Sequence, residues 1–289
     1  MVNEALQMDQ VVSSIDAMLH REQSSYIVPD YLSYLPEKEY GEFPIDPAAR
    51  EAIVDWYLKI VELCDMSVDT ASIAVSILDR FASSPAAKDF LIHREKFQLA
   101  SLAAIYTAIK IHEASALSPA FVAKLSGGMS TQEDVEKMEI YLLQTITWLV
   151  NPPTAMWFAQ NFLQLLNLSS KPLMRAIESQ VVQSLLKYEF CTIRPSAIGA
   201  AAVANALEAV FGRNNYVRRM ESILCSTIDI DAGKLQHLRL QLSGAIDVEV
   251  DSTNVAQTNN KGHHTPSNCH SQSNDSFAHS PKTVMTTSS

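Results

Sequence analysis

The side chains best suited to catalysis or metal binding in this 289-residue chain are eight histidines and four cysteines, and their spacing supports neither use. Cys64, Cys191, Cys225 and Cys269 lie far apart, with no C-x-x-C pair and no Cys/His ligand spacing. That argues against zinc ribbons and thioredoxin-type redox sites and fits free thiols in a reducing compartment. His93, His112 and His237 occur singly. His263, His264, His270 and His279 gather near Cys269, but in a polar segment with nothing to fix a ligand geometry. Phosphate loops, dinucleotide fingerprints, H-E-x-x-H and G-x-S-x-G are all absent. The expectation is an interaction module rather than an enzyme, with no catalytic residue, no metal and no cofactor.

Composition narrows the class. Apolar residues make up 47% and charged residues 19%, enough to bury a core, and the 8 glycines suit helices. A net charge of −10 gives no basic footprint for nucleic acid. The start, MVNEALQMDQ, lacks the basic and apolar regions of a signal peptide. The longest small-apolar run, Ala197 to Phe211, is too short to cross a bilayer, so no membrane partner is expected. Residues 1–46 hold nine Asp/Glu against Arg21 and Lys38, which reads as a solvated acidic segment with a short helix.

From 47 to 245 the chain reads as a succession of helices, and no strand alternation appears. Asp46-Pro47 and Ser118-Pro119 place a capping oxygen before a proline, and Ser130-x-x-Glu133 reads as a capping box. Ala49, Ala52, Ile53, Trp56, Tyr57, Ile60 and Val61 form one apolar stripe. Phe97–Ile111 and Ala197–Phe211 are apolar nearly all round and alanine-rich, as helices at the centre of a bundle are. Each has helices before and after it, so the chain is expected to be all-α with two similar units, 47–150 and 151–245. They part at Asn151-Pro152-Pro153, where helix cannot continue. Residues 246–289 read as a disordered Ser/Thr/Asn-rich tail: 21 of the 39 residues from Asp251 are Ser, Thr, Asn or Gln.

Arg50-Glu51-Ala52-Ile53-Val54-Asp55-Trp56 resembles the opening of a cyclin box. Ile77-Leu78-Asp79-Arg80-Phe81, Phe97-Gln98-Leu99-Ala100, Lys110-Ile111-His112-Glu113 and Met138-Glu139 follow at that family's spacing. The resemblance covers about 47 to 245. It implies two sequential five-helix boxes and a regulatory subunit, without catalysis of its own, that binds and activates a cyclin-dependent protein kinase. Arg21-Glu22, Tyr26, Pro29 and Asp30-Tyr31-Leu32 are similar to the segment before the box in D-type cyclins, those of plants and algae above all. Thr147-Trp148 and Arg194-Pro195-Ser196 are similar to that type too. This points to G1 progression or G1/S entry, in nucleus and cytoplasm, although no Leu-x-Cys-x-Glu is present for retinoblastoma-type docking. The alternatives are a transcription-associated cyclin or a two-repeat transcription factor of the TFIIB type; the latter brings a zinc ribbon and basic repeats that this chain lacks.

Roles follow from the resemblance. Lys110, Glu139 and Leu99 would meet the kinase. Arg50 and Asp79, both among apolar neighbours on helices that must pack together, would form a structural ion pair. Ile53, Trp56 and Gln98 match a patch that docks substrates or inhibitors carrying Arg-x-Leu, weakened here because Ala49 and Lys59 stand where Met and Glu are usual. Thr265-Pro266 and Ser280-Pro281-Lys282 are proline-directed phosphorylation sites that could recruit a ubiquitin ligase through the tail.

Overall fold

A computed structural model describes residues 2–33, 44–114, 117–168 and 170–257, and every regular element among them is helical. Helix α1 (Val2–Ser25) precedes a first bundle made of α2 (Pro47–Leu63), α3 (Val68–Ala82), the one-turn α4 (Lys88–Ile92), α5 (Arg94–His112), α6 (Pro119–Leu125) and α7 (Gln132–Thr145). Asp46 starts α2 by accepting the Ala49 amide at 2.7 Å, with Pro47 at the first helical position. Ser118 does the same for α6. The capping box of α7 is Thr131 with Asp134, one residue later than the sequence reading of Ser130 and Glu133. Ser130 is not free to begin the helix, because its amide closes the preceding turn onto Ser126 Oγ at 3.0 Å.

The nearly all-apolar α5 is the axis of this bundle, packed between α3 and α7, and every side chain from Ala100 to Ile109 is buried. The buried hydroxyls of Ser101 and Thr107 are satisfied locally: Ser101 donates to the Gln98 carbonyl at 2.7 Å and Thr107 to that of Ala103 at 2.8 Å.

A second core is built by α8 (Ala155–Leu165), α9 (Lys171–Leu186), α10 (Pro195–Phe211), α11 (Asn215–Ile228) and α12 (Ala232–Gln257) around α10. Gly199 lets α10 lie against α8: a Cβ there would sit 2.7 Å from the Ala155 carbonyl oxygen. The Asn151-Pro152-Pro153 break separates the two cores, as the prolines require.

Two boundaries differ from the sequence reading. The acidic N-terminal segment is not merely solvated: Val11, Ile15, Met18 and Leu19 form a stripe that joins the second core, with Ile15 only 1% exposed, while Asp9 and Asp16 face solvent. Its helix is long rather than short. Helix α12 continues past 245 to Gln257, because no glycine or proline interrupts 245–257. The rest of the tail, with Thr265, Ser280 and the histidine-rich stretch, lies outside the described residues.

Candidate functional site

Lys110 closes α5 and Glu139 lies on α7, and the packing of those helices brings the two together: Lys110 Nζ is 2.5 Å from Glu139 Oε1. Glu139 is buried and also accepts from Thr107 Oγ1 at 3.3 Å, so it is not the ordinary surface glutamate its sequence position would allow. The lysine side chain remains 42% exposed, with its ammonium 5.1 Å from the Tyr106 ring centroid. The result is a cation anchored from beneath, with donor directions left for an incoming carbonyl. Leu99 lies three turns before Lys110, on the same face of α5, and is half-buried against the first core.

The loop after α7 borders this face. His112 Nε2 lies 3.5 Å from the Val150 carbonyl, and Arg80 on α3 donates to the carbonyls of Leu149 at 2.6 Å and Ile146 at 3.2 Å. Held this way, Thr147 and Trp148 both take left-handed backbone (φ 55° and 59°), and the Trp148 side chain is 63% exposed. Spacing alone gave no sign of that arrangement.

Arg50 and Asp79 form a fully buried, two-pronged ion pair, with Nη2–Oδ2 at 2.7 Å and Nε–Oδ1 at 3.3 Å. It does more than set the α2–α3 register. Arg50 Nη1 donates to the carbonyls of Leu185 and Leu186 at the end of α9, and Tyr31 donates to Asp79 Oδ1 at 2.8 Å. Tyr188, edge-on to Tyr31 at 5.4 Å, donates to Asp30 at 2.8 Å. The pair is therefore a junction between the bundles. Burial works against the charge on Arg50, but the Asp79 carboxylate outweighs it and holds the guanidinium above its usual range. Burial, then Asp79, push the Tyr31 phenol well up, so it stays a donor.

The patch expected to dock substrates offers little surface. Ile53 and Trp56 are buried in the first core and Gln98 is half-buried, while Lys59 is paired with Asp55 at 2.6 Å. Among the described residues no group of His, Cys, Asp and Glu could hold a metal, and no helix is long and apolar enough to cross a membrane. Cys64, Cys191 and Cys225 are free thiols, and burial pushes Cys191 up to about 12.

Two further clusters escaped sequence reasoning. Glu22 on α1 accepts the amide and hydroxyl of Ser196 at the start of α10. In the second bundle, buried Arg239 is bound by Glu208 and Glu221 and donates to Asn205 Oδ1 at 2.8 Å. Asn205 and Glu208, three apart in an otherwise apolar helix, were the available signal for that network.

Residues 13–151 match the family model described as "Cyclin, N-terminal domain". The match takes in the later half of α1 and the whole first bundle, just under half of the chain, and that part is similar to a cyclin N-terminal domain. Similar curated proteins include G2/mitotic-specific cyclin-1 of Medicago sativa subsp. varia, 26% identical over 200 residues, covering 69% of this chain and 44% of that protein. Cyclin-A2-1 of Arabidopsis thaliana is 29% identical over 213 residues, covering 70% and 46%. The chain thus matches only about half the length of these relatives. Among solved structures, a viral cyclin from herpesvirus saimiri superimposes with TM-score 0.60 at 17% identity, over 80% of this chain and 97% of that one. The yeast RNA Pol II CTD kinase CTDK-1 complex gives TM-score 0.53 at 12% identity, over 78% and 70%. These two likenesses concern the fold, and they extend beyond the cyclin N-terminal domain into the second bundle. The first of these relatives carries a G2/mitotic name and the second an A-type name; neither name is D-type.

Proposed function

We propose that this chain is a regulatory subunit that binds and activates a cyclin-dependent protein kinase. The observation that carries the reading is the Lys110–Glu139 bridge on the α5–α7 face of the cyclin domain. An exposed ammonium locked by a buried carboxylate can donate charge-assisted hydrogen bonds to main-chain carbonyls of a partner, each contributing about 1.5–3 kcal/mol. Backbone targets make such a contact tolerant of partner sequence.

Activation of this kind is a population shift. An isolated kinase keeps its C-helix glutamate away from the catalytic lysine, and the partner must favour the productive arrangement. Moving the kinase from 1% to 99% competent takes about 5.5 kcal/mol of differential binding. One salt bridge is too little, so Leu99, on the same face of α5, and the exposed Trp148 of the loop after α7 are assigned to the same surface.

The features resembling D-type cyclins favour action in G1 or at G1/S entry, in nucleus and cytoplasm. The G2/mitotic names of two Medicago relatives favour a second reading, action in G2 or mitosis, and protein abundance across synchronised cells separates the two. Kinase substrates or inhibitors are further partners, and a ubiquitin ligase would act through the tail.

The test is capture and activation of a cyclin-dependent kinase by Lys110→Ala combined with Glu139→Ala. Loss of both with unchanged helical circular dichroism is expected. A folded double variant that activates the kinase at wild-type concentration overturns the reading.

A further inference from the structure

Two residue pairs distant in sequence, Arg21 with Tyr26 and Thr147 with Trp148, come together around the loop that joins the bundles. Tyr26 follows α1 and is 7% exposed. The guanidinium groups of Arg21 and of Arg80 on α3 lie over its ring, 5.5 and 4.6 Å from the centroid. Neither arginine meets a carboxylate among the described residues; both donate to the loop instead. Arg80 binds the Ile146 and Leu149 carbonyls, and Arg21 Nη2 binds that of Asn151 at 2.7 Å and the Tyr26 hydroxyl at 3.2 Å. Burial pulls the Arg80 guanidinium below its usual range, so the carbonyls and the aromatic face are what compensate its charge.

The loop needs such holding. Left-handed backbone is unfavourable for any side chain and worst for a β-branched one such as Thr147. Two such residues in succession persist only where the surroundings over-determine them. The turn's own bonds, from the Thr147 amide to Gln144 at 3.1 Å and from the Trp148 amide to Leu143 at 2.8 Å, fix where α7 ends. The arginines fix the other side, at 146, 149 and 151. Trp148 lies between those held carbonyls. Its indole makes no hydrogen bond or ring contact among the described residues, so the backbone alone sets where it points.

From this we infer that Arg21, Tyr26 and Arg80 are positioning residues, a clamp that holds 146–151 in the conformation that presents Trp148 to the kinase. The inference rests on the reading above, in which Trp148 belongs to the kinase-binding surface. None of the three has to touch the kinase. The ring is the decisive part, because one neutral face receives two cations at once. A carboxylate in its place would draw the guanidinium groups off the loop carbonyls. An aliphatic side chain would leave them half-buried with less to compensate their charge. Residues 21 and 26 precede the first bundle, so the N-terminal segment acts on the partner surface through the loop rather than by contact.

The experiment uses the full chain and measures hydrogen exchange over 144–151 together with affinity for a cyclin-dependent kinase catalytic subunit. Tyr26→Leu keeps apolar volume and loses the ring. It should speed exchange at the Trp148 and Leu149 amides roughly tenfold or more, and weaken kinase binding about as much as Trp148→Ala. Tyr26→Phe keeps the ring and should restore both. In a chain already carrying Trp148→Ala, adding Tyr26→Leu should cost little further affinity, whereas a merely structural Tyr26 would add its full effect. Circular dichroism checks the fold, and Arg21→Ala, at a half-buried position, is read the same way if Tyr26→Leu does not fold. Unchanged exchange over 144–151, additive losses of affinity, or wild-type affinity in Trp148→Ala would overturn the inference. If the wild-type chain captures no kinase, the reading of the function falls instead, and the exchange arm still decides whether the clamp exists.

Discussion

Glu22 and Ser196, 174 positions apart, meet at the start of the central helix of the second bundle: Oε1 accepts the Ser196 amide at 2.7 Å and Oε2 its hydroxyl at 2.6 Å. Helix α10 begins with Arg194 and Pro195 and has no capping side chain of its own. A carboxylate from α1 supplies the missing acceptor, where the helix dipole favours a negative group. It also ties the N-terminal helix to a bundle that follows it by more than a hundred residues.

Replacing Glu22 tests that tie. Glu22→Ala strands a buried amide and should cost about 1–3 kcal/mol in chemical denaturation, whereas Glu22→Gln can still serve both Ser196 groups and should cost less. Burial raises the Glu22 carboxyl above its ordinary 4.5, outweighing its bonds to Ser196. The fold therefore holds a proton that the unfolded chain has released, so the Glu22 contribution to stability is full below 4.5 and is lost as pH rises through the raised value. Glu22→Gln should flatten stability across that window; an unaltered pH profile would assign the dependence elsewhere.

The Arg50–Asp79 pair should be costly to break. Removing either partner leaves a buried charge, and each alanine variant is expected to lose about 3–5 kcal/mol by chemical denaturation. A loss below about 1 kcal/mol, the range of exposed pairs, would contradict the burial seen here. Tyr31→Phe removes only one neutral donor to Asp79 and should cost less than either alanine.

Peptides carrying Arg-x-Leu should bind weakly. Ile53 and Trp56 are committed to the first core, and Ala49 supplies no long side chain to wall a groove. Calorimetry should give a dissociation constant weaker than about 1 μM, less than ~8.2 kcal/mol of binding. Tighter binding would mean that the core opens to admit the peptide.

The tail is expected to set turnover rather than folding. Since α12 runs to Gln257, the informative truncation removes 258–289, with Thr265 and Ser280, and spares the helix. Its half-life after translation is blocked should lengthen while its melting temperature stays the same. An unchanged half-life ends the proposed role of Thr265 and Ser280.

Much of this architecture is written in local patterns. The prolines at 47, 119 and 152–153, the capping oxygens of Asp46 and Ser118, and the two apolar alanine-rich stretches determine where helices begin, where the bundles part and which helices are central. Those features act over a few residues, so one sequence suffices to read them. Packing decided the rest. That Glu139 lies buried beneath Lys110 depends on the rotation of α7 against α5. That Glu22 caps α10, and that Arg50 reaches the α9 carbonyls as well as Asp79, depends on contacts more than a hundred residues long in sequence. The acidity of residues 1–46 concealed the stripe through Ile15, since charge counts say nothing about which side of a helix faces the core. Helix boundaries are set by the free energy of each turn, whereas side-chain partners are set by how finished helices fit together.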